Sequence, residues 1–150
     1  MVDPAAVGYR GSAYAFPIER GKIRELALAA GSTNPGYLEA DRPPVTPTFL
    51  KLAQFLWEPP SGSVIDRVGF DPLNTPLHAA QEFEFHHDLP RAGDELSVRS
   101  HVESIRDRPS RRFGTVTSVV ITSEFTDRTG SVVATARTTS VAVPSPGDRR

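Results

Sequence analysis

The chain has 150 residues, of which 38% are hydrophobic and 23% charged, and its formal net charge is −1. A chain of that length buries a real core without metal or disulfide help, so residues 1–150 are expected to form a single domain. The near-neutral charge gives no electrostatic ground for a nucleic-acid partner, and the lack of cysteine excludes disulfides, thiolate nucleophiles and Cys-based zinc sites.

The first sixteen residues have neither a basic region nor a continuous apolar run, and no later stretch approaches the roughly 20 apolar residues of a membrane span. This predicts a cytoplasmic protein without a membrane association. A first helix is expected over Ile18–Ala30, where Ile23, Leu26, Ala27 and Ala30 recur at helical spacing before Gly31. Ser32–Pro44, with Pro35, Gly36, Pro43 and Pro44, reads as a loop. A second helix is expected from Pro47 to Trp57, buried on most sides because Leu50 and Phe55 widen the stripe of Phe49, Leu52, Ala53 and Leu56. Glu58–Pro76 reads as an irregular connection with a short strand or turn at Val64–Val68.

After that the pattern changes to period two. Phe83 and Phe85 alternate in Gln81–Phe85, which Pro90 and Gly93 stop. Leu96, Val98 and Val102 mark a second strand, broken by Asp107–Ser110, and Phe113–Phe125 is a long third one. Asp127–Gly130 reads as a hairpin turn and Ser131–Val143 as the returning strand. Two helices followed by such a meander predict an α+β domain, an antiparallel sheet with its helices on one face. A buried helix wrapped by that sheet is the hotdog arrangement.

Three stretches, Phe16–Leu26, Val45–Phe49 and Leu77–His86 leading to Ala92–Leu96, stand in an order and spacing that resembles the MaoC-like dehydratases. Within that family the chain is similar to the non-catalytic-type subunits and N-terminal halves called FAS1-like dehydratase domains. Active members resemble (R)-specific enoyl-CoA hydratases and (3R)-hydroxyacyl dehydratases, in which an Asp-x-Asn-Pro-x-His loop activates one water. Carboxylate and imidazole must reach the same water, one to orient it and the other to move its proton. Here the matching loop is Ser32-Thr33-Asn34-Pro35-Gly36-Tyr37. Ser32 stands at the Asp position and Tyr37 at the His position, and neither hydroxyl is a base at neutral pH.

The resemblance therefore implies a subunit that binds an acyl-CoA or acyl-carrier-protein thioester while a catalytic MaoC-like partner supplies Asp and His. It implies no cofactor, and leaves homodimer and heterodimer both open. Asn34, Tyr37, Thr46, Thr48 and Phe49 are the expected substrate-binding residues, Thr48 lying near the helix start where backbone donors are exposed. Two other readings stay open, an acyl-CoA-binding or regulatory protein without turnover, and an acyl-CoA thioesterase with Asp71 or Glu82 as base.

Asp71-Pro72-Leu73-Asn74-Thr75-Pro76-Leu77-His78 repeats the hydratase order with a spacing wrong by two residues. A catalytic Asp71 and His78 is set there against a structural histidine. His86 and His87 are neighbours on a strand end and so make a poor chelate, and no metal site is expected. Arg106, Arg108, Arg111 and Arg112 read either as a solvated loop or as a patch for phosphates of coenzyme A or of a carrier's prosthetic arm.

Overall fold

The computed structural model describes residues 2–70 and 76–144. Five antiparallel strands, β1 (Tyr14–Pro17), β2 (Leu77–Phe85), β3 (Glu95–Ser110), β4 (Gly114–Thr126) and β5 (Val132–Ala142), form one sheet in the order β1-β3-β4-β5-β2. Three helices, α1 (Arg20–Ala29), α2 (Pro35–Leu38) and α3 (Val64–Val68), precede β2, and a central helical segment runs from Pro47 to Trp57. This is the expected α+β hotdog fold, with the sheet curled around the central segment.

The inner face of the sheet follows from alternation. Leu96 and Val98 of β3, Phe125 of β4, and Ala134 and Ala136 of β5 point inward and meet Phe49, Leu50 and Ala53 of the central segment. Phe16 is the hinge of this cluster, with ring centroids 5.7 Å from Phe49, 5.2 Å from Trp57 and 6.1 Å from Phe125. A second cluster lies further along the sheet, where Val64 and Val68 of α3 cover Val102, Val119 and Ile121.

The central segment departs from the regular helix expected. Pro47–Lys51 is a tight 3-10 turn and Ala53–Trp57 a wide π turn closed by Glu58 N–H to Ala53 C=O at 3.0 Å. The change of pitch turns Phe49, Leu50 and Ala53 to the sheet and swings Trp57 onto Phe16. Its consequence is that Phe55 and Leu56 are 70% and 55% exposed, so the segment is not buried on most sides.

Three further elements differ from expectation. Val64–Val68 is a helix, because Ser63 caps it through Asp66 N–H at 3.2 Å and the two valines are one turn apart. The expected loop 32–44 contains α2. Strand β3 runs through Asp107–Ser110 to the turn, with Pro109 opposite Thr115. On its far side β3 is paired with β1 and then with residues 8–11 as far as Val102, and no strand among the described residues lies beside Pro109 there, so the missing proline N–H breaks no ladder. The short edge strand β1 was not anticipated.

Candidate functional site

The loop after α1 is built from local caps. Gly31, at φ 72°, ends the helix. Ser32 Oγ then accepts from Asn34 N–H at 3.3 Å, and Asn34 Oδ1 accepts from Gly36 N–H at 2.8 Å, capping α2 with Pro35 as its first residue. Tyr37 lies half-buried against the cluster that holds Phe49. Ser32 Oγ and Asn34 Oδ1 thus both accept backbone N–H groups of the turn.

Thr46 starts the central segment. The preceding backbone is pinned by Val45 N–H to Pro90 C=O at 2.9 Å and by Arg42, which reaches Ala92 C=O at 3.0 Å and the Asp94 carboxylate at 2.8 Å. Thr46 stands at the position of a helix cap without making the cap, and its Oγ1 is buried with no hydrogen-bond partner among the described residues. Thr48 is exposed, and Phe49 is a fully buried core side chain. Loop 32–37 and Thr46–Phe49 meet through the packing of Tyr37 on the Phe49 cluster. Beside the helix start is a groove of about 420 Å³ lined by Asp88, Pro90, Arg91, Asp94, Asp127 and Arg128, among others, and none of the expected binding residues lines it.

A polar set that the sequence reasoning missed lies between the central segment and the sheet. Lys51 Nζ donates to Gln54 Oε1 and, at 3.1 Å, to Thr138 Oγ1, and the Thr138 hydroxyl in turn donates to Gln81 Oε1 of β2 at 2.8 Å. Tyr14, Lys51, Gln54, Ser123 and Thr138 border a cavity of about 10 Å³ there, about the size of one water. Burial lowers the pKa of Lys51, opposed by nearby Glu58, and burial raises that of Glu58, opposed by Lys51. Tyr14 is raised by burial and by Glu58. A lysine within an apolar helical stripe was the available signal.

The outer face of the sheet has the opposite character. A bulge between Val102 and Ser104 presents Glu103, whose carboxylate accepts from Arg137 Nε and from Thr122 Oγ1, both at 2.7 Å. Arg137 also lies 3.5 Å from Glu82, the alternative thioesterase base, which sits on the outer face of β2. Hydrogen bonds from Arg137 and then Thr122 hold Glu103 at about 2.

Asp71 lies outside the described residues. His78 is exposed on β2 opposite Ser140. His86 follows β2, its Nε2 2.8 Å from Thr135 Oγ1. Among the described residues no three His, Cys, Asp or Glu side chains converge as metal ligands, and no helix is long and apolar enough to cross a membrane. Arg106, Arg108, Arg111 and Arg112 are exposed at the β3–β4 end.

Residues 5–136 match the family described as FAS1-like, dehydratase domain region. A UPF0336 protein of Streptomyces coelicolor is 33% identical over 137 residues, covering 85% of each chain. A probable enoyl-CoA hydratase alpha subunit of Thermomonospora curvata is 30% identical over 139 residues, covering 81% of this chain and 43% of that protein. Among solved structures, the C-terminally truncated HadBC (3R-hydroxyacyl-ACP dehydratase) complex of Mycobacterium tuberculosis superposes with a TM-score of 0.63 at 25% identity, over 91% of this chain and 98% of that one. With the curled sheet, the central segment and the loop at Ser32–Tyr37 in place, these matches put the chain in the FAS1-like dehydratase-domain family of MaoC-like hotdog proteins.

Proposed function

We propose that the chain is the acyl-binding subunit of a two-chain (3R)-hydroxyacyl-thioester dehydratase, or (R)-enoyl-thioester hydratase, whose Asp and His come from a second hotdog chain. The observation that carries this reading is the Ser32–Tyr37 loop. It keeps Asn34 and Pro35, holds Ser32 and Asn34 in backbone caps, and offers no carboxylate or imidazole to a water. The buried Thr46 hydroxyl supports it as well, because such a group costs about 1–3 kcal/mol unless a bound molecule or partner satisfies it.

The place for the second chain is β2. That strand is the edge of the sheet beyond β5, and Phe55, Leu56 and Leu77 are exposed large apolar side chains on the central segment and on β2. An antiparallel mate on that edge would continue the sheet and bring two central segments together. The substrate is a thioester of coenzyme A or of a carrier protein.

The test follows hydration of a short and a long enoyl-CoA by loss of enone absorbance, with this chain alone and with an Asp/His-bearing MaoC-like chain. Activity only in the mixture is expected. Full activity of this chain alone would overturn the reading, and a mixture no faster than the second chain by itself would favour an acyl-binding protein without turnover.

A further inference from the structure

The four arginines near the β3–β4 turn form a basic prong that is placed to serve another chain. From Arg106 to Arg112 there are four arginines and one aspartate in a chain whose net charge is −1. The Asp107 carboxylate is engaged by Thr117 Oγ1 at 2.8 Å, and none of the four guanidiniums has an ion pair among the described residues. Arg112 stacks on Phe113, 5.3 Å from its ring centroid, which holds one guanidinium at the tip.

The register of the sheet fixes where this prong stands. Leu77 of β2 is level with Val141 of β5, Ser118 of β4 and Arg106 of β3. Strand β5 ends level with Thr117, so the rungs from Arg108–Val116 to Ser110–Gly114 lie beyond its last paired residue. The chain's own helix start is at the opposite end, where Pro90 and Arg91 dock on Val45 and Pro44 near the first residues of β3. From Glu95 to Arg108 is thirteen strand steps, roughly 40 Å, so the prong does not reach that helix start.

A mate added antiparallel to β2 runs the other way. Its equivalent of the Phe85 end, followed by its helix start, then lies beside this chain's Leu77 end. The prong strands β4 and β3 are two and three strand spacings from the β2 edge, about 10 and 14 Å. The arginines would therefore stand at the end of the sheet where an antiparallel partner's helix start lies, and they stand away from their own.

We infer that the Arg106–Arg112 prong binds a phosphate of the phosphopantetheine-bearing thioester that reacts at the partner's site, so that this chain supplies the anion clamp in trans. The inference rests on the two-chain reading above. Guanidinium forks match phosphate oxygens, and an open, convex element suits the solvent-exposed head of a ligand whose acyl end is buried elsewhere. Such exposed contacts are screened by salt.

The experiment uses the assembled two-chain enzyme, wild type and with Arg106→Gln, Arg108→Gln, Arg111→Gln and Arg112→Gln together, on enoyl-CoA, enoyl-carrier-protein and phosphate-free enoyl-pantetheine. A rise in KM of about tenfold for the two phosphate-bearing substrates is expected, with kcat kept and enoyl-pantetheine unaffected. The wild-type KM for them should rise with salt, and the variant's much less. A rise for enoyl-CoA alone keeps the clamp and assigns it to the nucleotide phosphates. A rise for the carrier substrate alone, an equal rise for all three, or no rise overturns the clamp while leaving the two-chain reading intact. Failure of the chains to assemble overturns both. Should the fourfold variant not fold, the tip pair Arg108→Gln with Arg112→Gln, expected to give a smaller rise in the same pattern, decides the matter.

Discussion

The outer face of the sheet pairs its charges, whereas the inner side holds two charged groups that form no ion pair with each other. On the outer face, Glu103, Thr122, Arg137 and Glu82 form a row across four strands in which each member has a partner. On the inner side, Lys51 and Glu58 are half-buried without touching in an ion pair, and the Thr46 hydroxyl has no partner among the described residues. Groups that satisfy one another serve the fold. Buried groups left short of partners cost stability, and their retention is explained when something outside the chain completes them.

The largest effect that would test this contrast is on the inner side. Lys51→Met removes the donor to Gln54 and Thr138 and leaves Glu58 without its opposing charge, so a loss of about 2 kcal/mol is expected in chemical denaturation. Adding Glu58→Gln should recover most of that loss. If the double variant is no better than the single one, the pair is not electrostatically coupled and the inner set is less strained than described.

Thr46→Val keeps the shape and deletes the orphan hydroxyl. The isolated chain should gain about 1 kcal/mol, while the proposed two-chain enzyme should lose about tenfold in kcat/KM, close to 1.4 kcal/mol of transition-state stabilisation. A gain in stability without any loss of activity would reduce Thr46 to a structural residue.

The smallest effect belongs to the outer row, which is partly open to solvent. Glu103 is held at about 2 against an ordinary 4.5, chiefly by Arg137 and then by Thr122. Its unfolded form binds protons more readily, so the stability it contributes is present above pH 4.5 and is lost as pH falls toward 2. Allowing for screening, that contribution is about 1 kcal/mol. Arg137→Gln should flatten this acid limb. Glu58 acts with the opposite sign, since its raised pKa makes stability fall as pH rises through its titration. A profile unchanged by Arg137→Gln would mean that the row contributes nothing measurable.

The order of elements was legible in the sequence because burial on one face imposes period two on Phe83–Phe85, Leu96–Val102 and Phe113–Phe125. The Asp127–Gly130 turn was legible too, since Asp127 Oδ1 caps Thr129 and Ser131 N–H locally and Gly130 takes φ 88°. That Ser32–Tyr37 contains no carboxylate and no imidazole is read from residue types alone, because it is a matter of chemistry and not of placement. The expected binding residues divide in the structure: Phe49 goes to the core, Thr48 is exposed, Asn34 holds a turn, and the Thr46 hydroxyl is buried with no partner among the described residues.

What the sequence could not determine is whatever depends on residues far apart in the chain. The pitch change that exposes Phe55 and Leu56 is set by Trp57 reaching Phe16, forty-one positions earlier. Val64–Val68 becomes a helix where its two valines find Val102 and Val119 to cover. The Lys51–Thr138–Gln81 chain joins a helix to two strands that only the sheet order makes neighbours. Local composition fixes which segments can be helix or strand and which side chains can act as bases. The strand order and register decide which polar groups meet, because hydrogen bonds and burial depend on distances that neighbouring residues do not encode.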